Sequence, residues 1–204
     1  GYYVWMKYPG VIGIDEVGRS PVAGPVYLCG VLLKEENISK IVDTSGLPLR
    51  DSKKLTEKMR EKWFSHLRKC ADGGLLKYVV SYASAEEIDR KGIAVCIKAC
   101  AQSIVEKLNS EKDTTKVLLD GGLSVSPDFI QETFIKGDEN IPVISLASVI
   151  AKVTRDEEMK KLGEKYPEYL LGKHKGYGTK DHLDAIKKYG LTEIHRKSFL
   201  KSYI

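Results

Sequence analysis

Residues 11–25, VIGIDEVGRSPVAGP, constrain this chain more than any other stretch. An apolar run ends on two adjacent carboxylates, Asp15 and Glu16, and a Gly- and Pro-rich turn carrying Arg19 follows. The run predicts a strand, and the turn has a backbone that a ligand can approach closely. Acids at a strand end beside such a turn suit a metal and phosphate site. Neighbouring side chains on a straight strand point to opposite faces. Both acids therefore serve one site only if the chain ends or bends there, which Gly18 permits. The same residues also read as an exposed acidic turn in an ordinary hairpin.

The pattern repeats further along. Apolar stretches at 25–33, 75–83 and 116–122 predict strands, the last ending near Asp120, and FIKGD at 134–138 predicts a short strand ending at Asp138. Between them, 34–50 reads as an exposed polar connection. Thr56 can cap a helix carrying Met59, Trp63, Leu67 and Cys70 on one face, which Gly73 and Gly74 stop. Ser84 and Glu87 make a capping box, and Ile93, Cys96, Ile97, Cys100, Ile104 and Leu108 mark a long helix after it. Residues 142–166 predict a helix packed closely through Ala147, Ile150, Ala151 and Val153. The segment 172–180, GKHKGYGTK, predicts a basic glycine loop, followed by a short helix ending at Tyr189 and a basic tail. Strands first and mixed elements later predict an α/β fold, a mixed sheet flanked by helices, with the last third as a helical appendage. We expect one domain over 1–204, its part from about 167 onward contacting the substrate.

Composition sets the bounds. The 42% apolar fraction supplies a sizeable core, and a net charge of +5 allows a nucleic-acid partner without requiring one. No stretch approaches a membrane span, and the first residues lack a signal-peptide pattern. Cys29, Cys70, Cys96 and Cys100 lie in predicted strands and helices, which suits buried free thiols in a reducing, cytoplasmic compartment.

Four carboxylates, Asp15, Glu16, Asp120 and Asp138, stand at predicted strand ends. Converging, they would bind hard divalent cations through oxygen, and Mg²⁺ or Mn²⁺ would offset their repulsion. Two such ions suit phosphoryl transfer. Acids at strand ends also occur in plain exposed turns, so convergence rests on the tertiary structure.

GIDEVGRSPVAGPV resembles the first motif of the type 2 ribonucleases H, usually written GIDEAGRGPxxGP, departing at Ser20 where a third glycine is usual. Further blocks follow in the family's order: DSKKL at 51–55, LLDGG around Asp120, KGD at 136–138, SLASVIAKVTRD at 145–156, HKGYGTKDHL at 174–183 and HRKSF at 195–199. The resemblance is closest to the bacterial ribonuclease HII branch, and it implies a ribonuclease H-like sheet. It implies hydrolysis of the RNA strand of RNA/DNA hybrids and cutting at ribonucleotides embedded in duplex DNA, with 5′-phosphate and 3′-hydroxyl products. The roles would be ribonucleotide removal and hybrid clearance by a monomer. It also implies that Asp15, Glu16, Asp120 and Asp138 are catalytic metal ligands.

Gly18, Arg19 and Ser20 would sense the ribose 2′-hydroxyl with help from Tyr177, since that hydroxyl separates RNA from DNA. Ser52, Lys53, Lys54 and Lys175 would contact phosphates. Ser20 is strained if its position needs a positive φ and is tolerated otherwise. His174 is expected to make a phosphate contact or a structural hydrogen bond, and Asp156 to be structural. Two alternatives stand beside this reading. One is a ribonuclease HIII-like hybrid nuclease without junction activity, disfavoured because only ten residues precede Val11. The other is a non-catalytic nucleic-acid binding module, disfavoured by the intact acids.

Overall fold

The computed structural model describes residues 8–47, 54–108 and 114–203. Strands β1 (Gly10–Val17), β2 (Val26–Leu33), β3 (Leu76–Ala83), β4 (Thr115–Asp120) and β5 (Ile130–Phe134) form one sheet in the order β3-β2-β1-β4-β5. The β1–β2 and β2–β3 pairs are antiparallel, and β1–β4 and β4–β5 are parallel. The helices are α1 (Glu36–Ser45), α2 (Glu57–Asp72), α3 (Ala85–Lys91), α4 (Ile93–Leu108), α5 (Gly137–Asn140), α6 (Pro142–Lys165), α7 (Leu171–His174), α8 (Lys180–Tyr189) and α9 (Lys197–Leu200).

Alternation along the strands sorts the core into two layers. Val11, Cys29, Val31, Leu33 and Leu118 face α6, with Trp63 and Leu67 of α2 behind them. Ile12, Ile14, Val26, Leu28, Val117 and Leu119 face α4 through Cys100, Ile104 and Val105. The central helix α6 lies directly on β1. A Cβ on Gly13 would stand 2.6 Å from the Val143 backbone, so only glycine permits this approach. Ala147, Ile150, Ala151 and Val153 are buried there, as their spacing predicts. A third, smaller core joins Val22 and Ala23 to Met159, Tyr169, Leu171, Ala185, Ile186, Ile194 and Leu200. It fastens the C-terminal helical part to the turn after β1.

Three expectations are corrected. Part of the expected polar connection is α1: Ile38, Ile41 and Val42 recur at helical spacing among polar residues, and Ile41 is fully buried. FIKGD is not a strand. β5 lies upstream, and Lys136 at φ 57° turns the chain so that Asp138 sits in the short helix α5. The segment 172–180 is not all loop, because α7 takes its first residues. The capping box of Ser84 and Glu87 forms, and Gly92 at φ 85° separates α3 from α4. All four cysteines are buried and free. No helix among the described residues is long and apolar enough to cross a membrane.

Candidate active site

Parallel register brings the first acids together. Ile14 pairs with Leu119, so Asp15 and Asp120 are the next residues along adjacent strands, and their parity turns both toward α6. β1 continues through both of its acids to Val17. No break separates Asp15 from Glu16, yet oxygens of Asp15, Glu16 and Asp120 lie within 4.8 Å of one another at the strand ends. Asp15 Oδ1 accepts the Glu16 amide at 2.8 Å. Asp138 joins through its backbone. Asp120 Oδ1 accepts the Gly137 amide at 2.6 Å and the Asp138 amide at 3.4 Å, while Ser145 of α6 donates to the Asp138 carbonyl at 2.7 Å. Asp138 is buried beside the three-acid group without being one of its members.

The electrostatics are those of a site short of positive charge. Burial pushes the Asp15 carboxyl up to about 7, opposed by the Lys152 ammonium and a Ser148 hydrogen bond and reinforced by Asp120 and Glu16. Burial also raises Glu16, opposed by Arg19, whose Nη1 lies 3.4 Å from Glu16 Oε1. Glu16 Oε2 is buried with no hydrogen-bond partner. An all-oxygen donor set with an orphaned buried carboxylate oxygen fits a hard divalent cation.

Beyond Glu16 the chain is shaped by two buried arginines. Gly18 has φ 85°, and a Cβ there would overlap Arg155 Nε. Ser20 is not among the residues with positive φ, so the serine is unstrained. Arg196, fully buried, donates from Nε to Gly24 O (2.9 Å), from Nη1 to Arg19 O (3.0 Å) and from Nη2 to Gly18 O (2.7 Å). Arg155 donates to Pro25 O at 3.1 Å and Ala23 O at 3.4 Å. Burial, aided by Arg155, lowers Arg196 to about 9.

Gly176 O accepts the Val22 and Ala23 amides at 2.9 and 3.1 Å, which sets the half-exposed Tyr177 beside this turn. Lys54 is exposed at the approach to α2, and Lys175 is half-buried; Ser52 and Lys53 lie outside the described residues. His174 makes a structural hydrogen bond, its Nε2 lying 2.8 Å from Tyr169 O. Asp156 pairs with Arg60 at 3.3 Å.

Sequence reasoning assigned no role to Ser148, Lys152, Arg155 or Arg196. All four stand in the matched blocks, but a lone base in a basic tail carries no sign of burial.

A mixed sheet of this order, with acids gathered at the ends of its adjacent parallel central strands, defines a ribonuclease H-like nuclease. The structure of ribonuclease H2 from Pyrococcus horikoshii OT3 is similar, with a TM-score of 0.73 and 29% identity over 95% of this chain and 96% of that one. The ribonuclease HII in the PCNA:RNase HII complex from Archaeoglobus fulgidus also superposes with a TM-score of 0.73, at 25% identity over 95% and 96% of the two chains. Ribonuclease HII of Sulfurovum sp. (strain NBC37-1) is 46% identical over 187 residues, 92% of this chain and 89% of its own length. The ribonuclease HII family model matches residues 12–202. The chain belongs to the ribonuclease HII family, and it is a metal-dependent nuclease of the hydrolase class.

Proposed function

We propose that this protein hydrolyses the RNA strand of RNA/DNA hybrids and cuts at ribonucleotides embedded in duplex DNA, leaving 5′-phosphate and 3′-hydroxyl ends. One observation carries the reading. Three carboxylates gather within 4.8 Å beside the Gly18–Ser20 turn, so a phosphate drawn to cations that the acids would hold lies next to a backbone able to meet the ribose.

Asp15, Glu16, Asp120 and Asp138 would hold Mg²⁺ or Mn²⁺ as a two-ion site. Bound there, such ions lower the pKa of a water and offset charge on the reacting phosphate. Lys152 opposes the burial that favours a protonated Asp15, and Arg19 does the same for Glu16. Gly18, Arg19 and Ser20 present the turn to the ribose 2′-hydroxyl, with Tyr177 as an adjacent stacking surface. Lys54 and Lys175, together with Ser52 and Lys53, contact duplex phosphates. Because Ser20 is unstrained, its effect is local: its hydroxyl retunes junction selectivity and leaves catalysis intact. The C-terminal part from about 167 onward carries substrate contacts in a monomeric enzyme. The four buried free thiols support a reducing, cytoplasmic setting.

The test is a cleavage assay with Mg²⁺ and separately with Mn²⁺. It uses an all-DNA duplex, a duplex with one ribonucleotide and an RNA/DNA hybrid, with Asp138→Asn as control. The expected result is metal-dependent cutting of the last two, on the 5′ side of the single ribonucleotide, abolished in the control. Cutting of the hybrid alone would remove the ribose-sensing role from the turn. Salt-sensitive duplex binding without cutting would make the chain a binding module.

A further inference from the structure

We propose that His182 and His195 are positioning residues: a buried chain of neutral imidazoles, running from the Thr192 amide to the Tyr177 carbonyl, fixes the backbone that presents the Tyr177 ring. The inference rests on Tyr177 being a substrate contact.

The hydrogen-bond pattern admits one assignment of the protons. His195 Nδ1 accepts the Thr192 amide at 3.0 Å, so that nitrogen is bare and the proton sits on Nε2. His195 Nε2 faces His182 Nε2 at 3.2 Å, and only one of the two can donate. His182 Nε2 is therefore the acceptor, and the His182 proton is on Nδ1, 2.8 Å from Tyr177 O. That carbonyl also accepts the Thr179 amide at 2.8 Å. A parallel link starts one residue before Tyr177. The Gly176 amide donates to His174 Nδ1 at 3.3 Å, which leaves His174 Nε2–H to donate to Tyr169 O at 2.8 Å.

Packing seals the chain. His182 and His195 are 0% and 1% exposed. The His174 ring stacks on His182 with centroids 4.4 Å apart, and Tyr169 from the short 3₁₀ turn at Pro167–Tyr169 stands edge-on to both buried rings. Asp181 of α8, ion-paired to Lys173 of α7 at 2.8 Å, acts on His174 at the outer end of the stack. A proton added to His182 would go on Nε2 and face the His195 N–H at 3.2 Å, and one added to His195 would go on Nδ1 and face the Thr192 N–H at 3.0 Å. Burial accordingly holds His182 and His195 below the usual histidine range, His195 at about 4.

The reason to link this chain to function is its end point. The Tyr177 carbonyl is held by His182, and the preceding Gly176 carbonyl is clamped to the Val22 and Ala23 amides of the turn after β1. The backbone that carries the exposed ring is thereby tied to the turn after β1 at Val22 and Ala23. His195 meets the same turn again through its bridge to Ala23.

Long-range ¹H–¹⁵N correlation spectra of the four histidines of the wild-type protein test the assignment without any substrate. We expect the Nδ1–H tautomer for His182, the Nε2–H tautomer for His195 and His174, and flat His182 and His195 shifts from pH 8 to pH 5.5. An Nε2–H tautomer at His182, or a His182 or His195 midpoint near 6.5, would overturn the proposal.

Kinetics then test the positioning role. His182→Asn keeps an N–H donor where Nδ1 stood, whereas His182→Leu removes it. The leucine variant should raise KM for the single-ribonucleotide duplex about tenfold with kcat within about twofold, and the asparagine variant should stay within about threefold of wild type. Equal losses in both variants, tracking their melting temperatures, would reduce the pair to plain core. Should the leucine variant not fold, His195→Leu supplies the same comparison from the other end of the chain. If Tyr177→Ala leaves KM unchanged while the tautomers are as assigned, the substrate role of Tyr177 fails and the histidine chain stands.

Discussion

The acid centre and the neighbouring turn-and-loop unit are buried in opposite ways. At the acid centre, like charges are packed together and Glu16 Oε2 has no protein partner. Around the turn, two buried arginines donate to backbone carbonyls, and Arg196 alone donates to three of them. One region is left short of positive charge, and the other is saturated within the protein. A site that must take up a cation carries its strain in the free protein, whereas a site that must hold a shape has its polar groups satisfied before any ligand arrives.

The sharpest way to separate the two regions is to remove one charge from each. Asp15→Asn should cut metal-dependent cleavage by about 10³-fold or more, since a metal site supplies several kcal/mol of transition-state stabilisation and each tenfold is about 1.4 kcal/mol. Single-turnover cleavage measures this, and the same variant should unfold no more easily than wild type in chelator.

Arg196→Met should do the reverse. Leaving the Gly18, Arg19 and Gly24 carbonyls without their donor should cost about 3 kcal/mol in urea denaturation, at about 1–3 kcal/mol for each unsatisfied buried group after partial relaxation. Cleavage at the single ribonucleotide should fall more than cleavage of the hybrid. Equal losses on both substrates would erase the distinction between the regions.

The pH dependence sharpens the contrast. The folded-state pKa of Asp15 is raised from 3.8 to about 7, so between those values the folded protein holds more protons than the unfolded chain. Stability must then fall as pH rises through this window, by about 2 kcal/mol from pH 5 to pH 7 for this one group. Urea denaturation in chelator should show the decline, Asp15→Asn should flatten it, and Mg²⁺ should stabilise more at pH 7 than at pH 5.

The smallest effect belongs to Ser20→Gly. With Ser20 at an ordinary φ, the glycine relieves no strain and should lower stability by about 0.5 kcal/mol through unfolded-state entropy. The ratio of single-ribonucleotide to hybrid cleavage should rise a few-fold. A ratio unchanged or lowered would show that the serine hydroxyl does not tune the turn.

Much of the acid centre was legible because its parts are local. A strand ending in Asp15 and Glu16 and another ending in Asp120 are visible as apolar runs meeting carboxylates, and parallel pairing does the rest. Asp138 was expected at a strand end and lies instead in a short helix, buried beside the three-acid group. Its approach is a left-handed Lys136 and a short helix, a turn that a run of five residues does not reveal. The helix α1 was missed because its apolar residues are few and its polar ones dominate the segment.

The chain by itself determined the strand and helix periodicities, the capping box at Ser84, the acids at strand ends and the family to which they belong. These depend on spacing within one segment. Only the tertiary structure decided that Ser20 is unstrained, that Arg155 and Arg196 are buried donors, and that His174, His182 and His195 form one stacked and hydrogen-bonded set. The physical reason is sequence distance. Arg196 reaches carbonyls 172 to 178 residues away. Nothing in the composition of HRKSF distinguishes an arginine facing solvent from one enclosed by backbone oxygens.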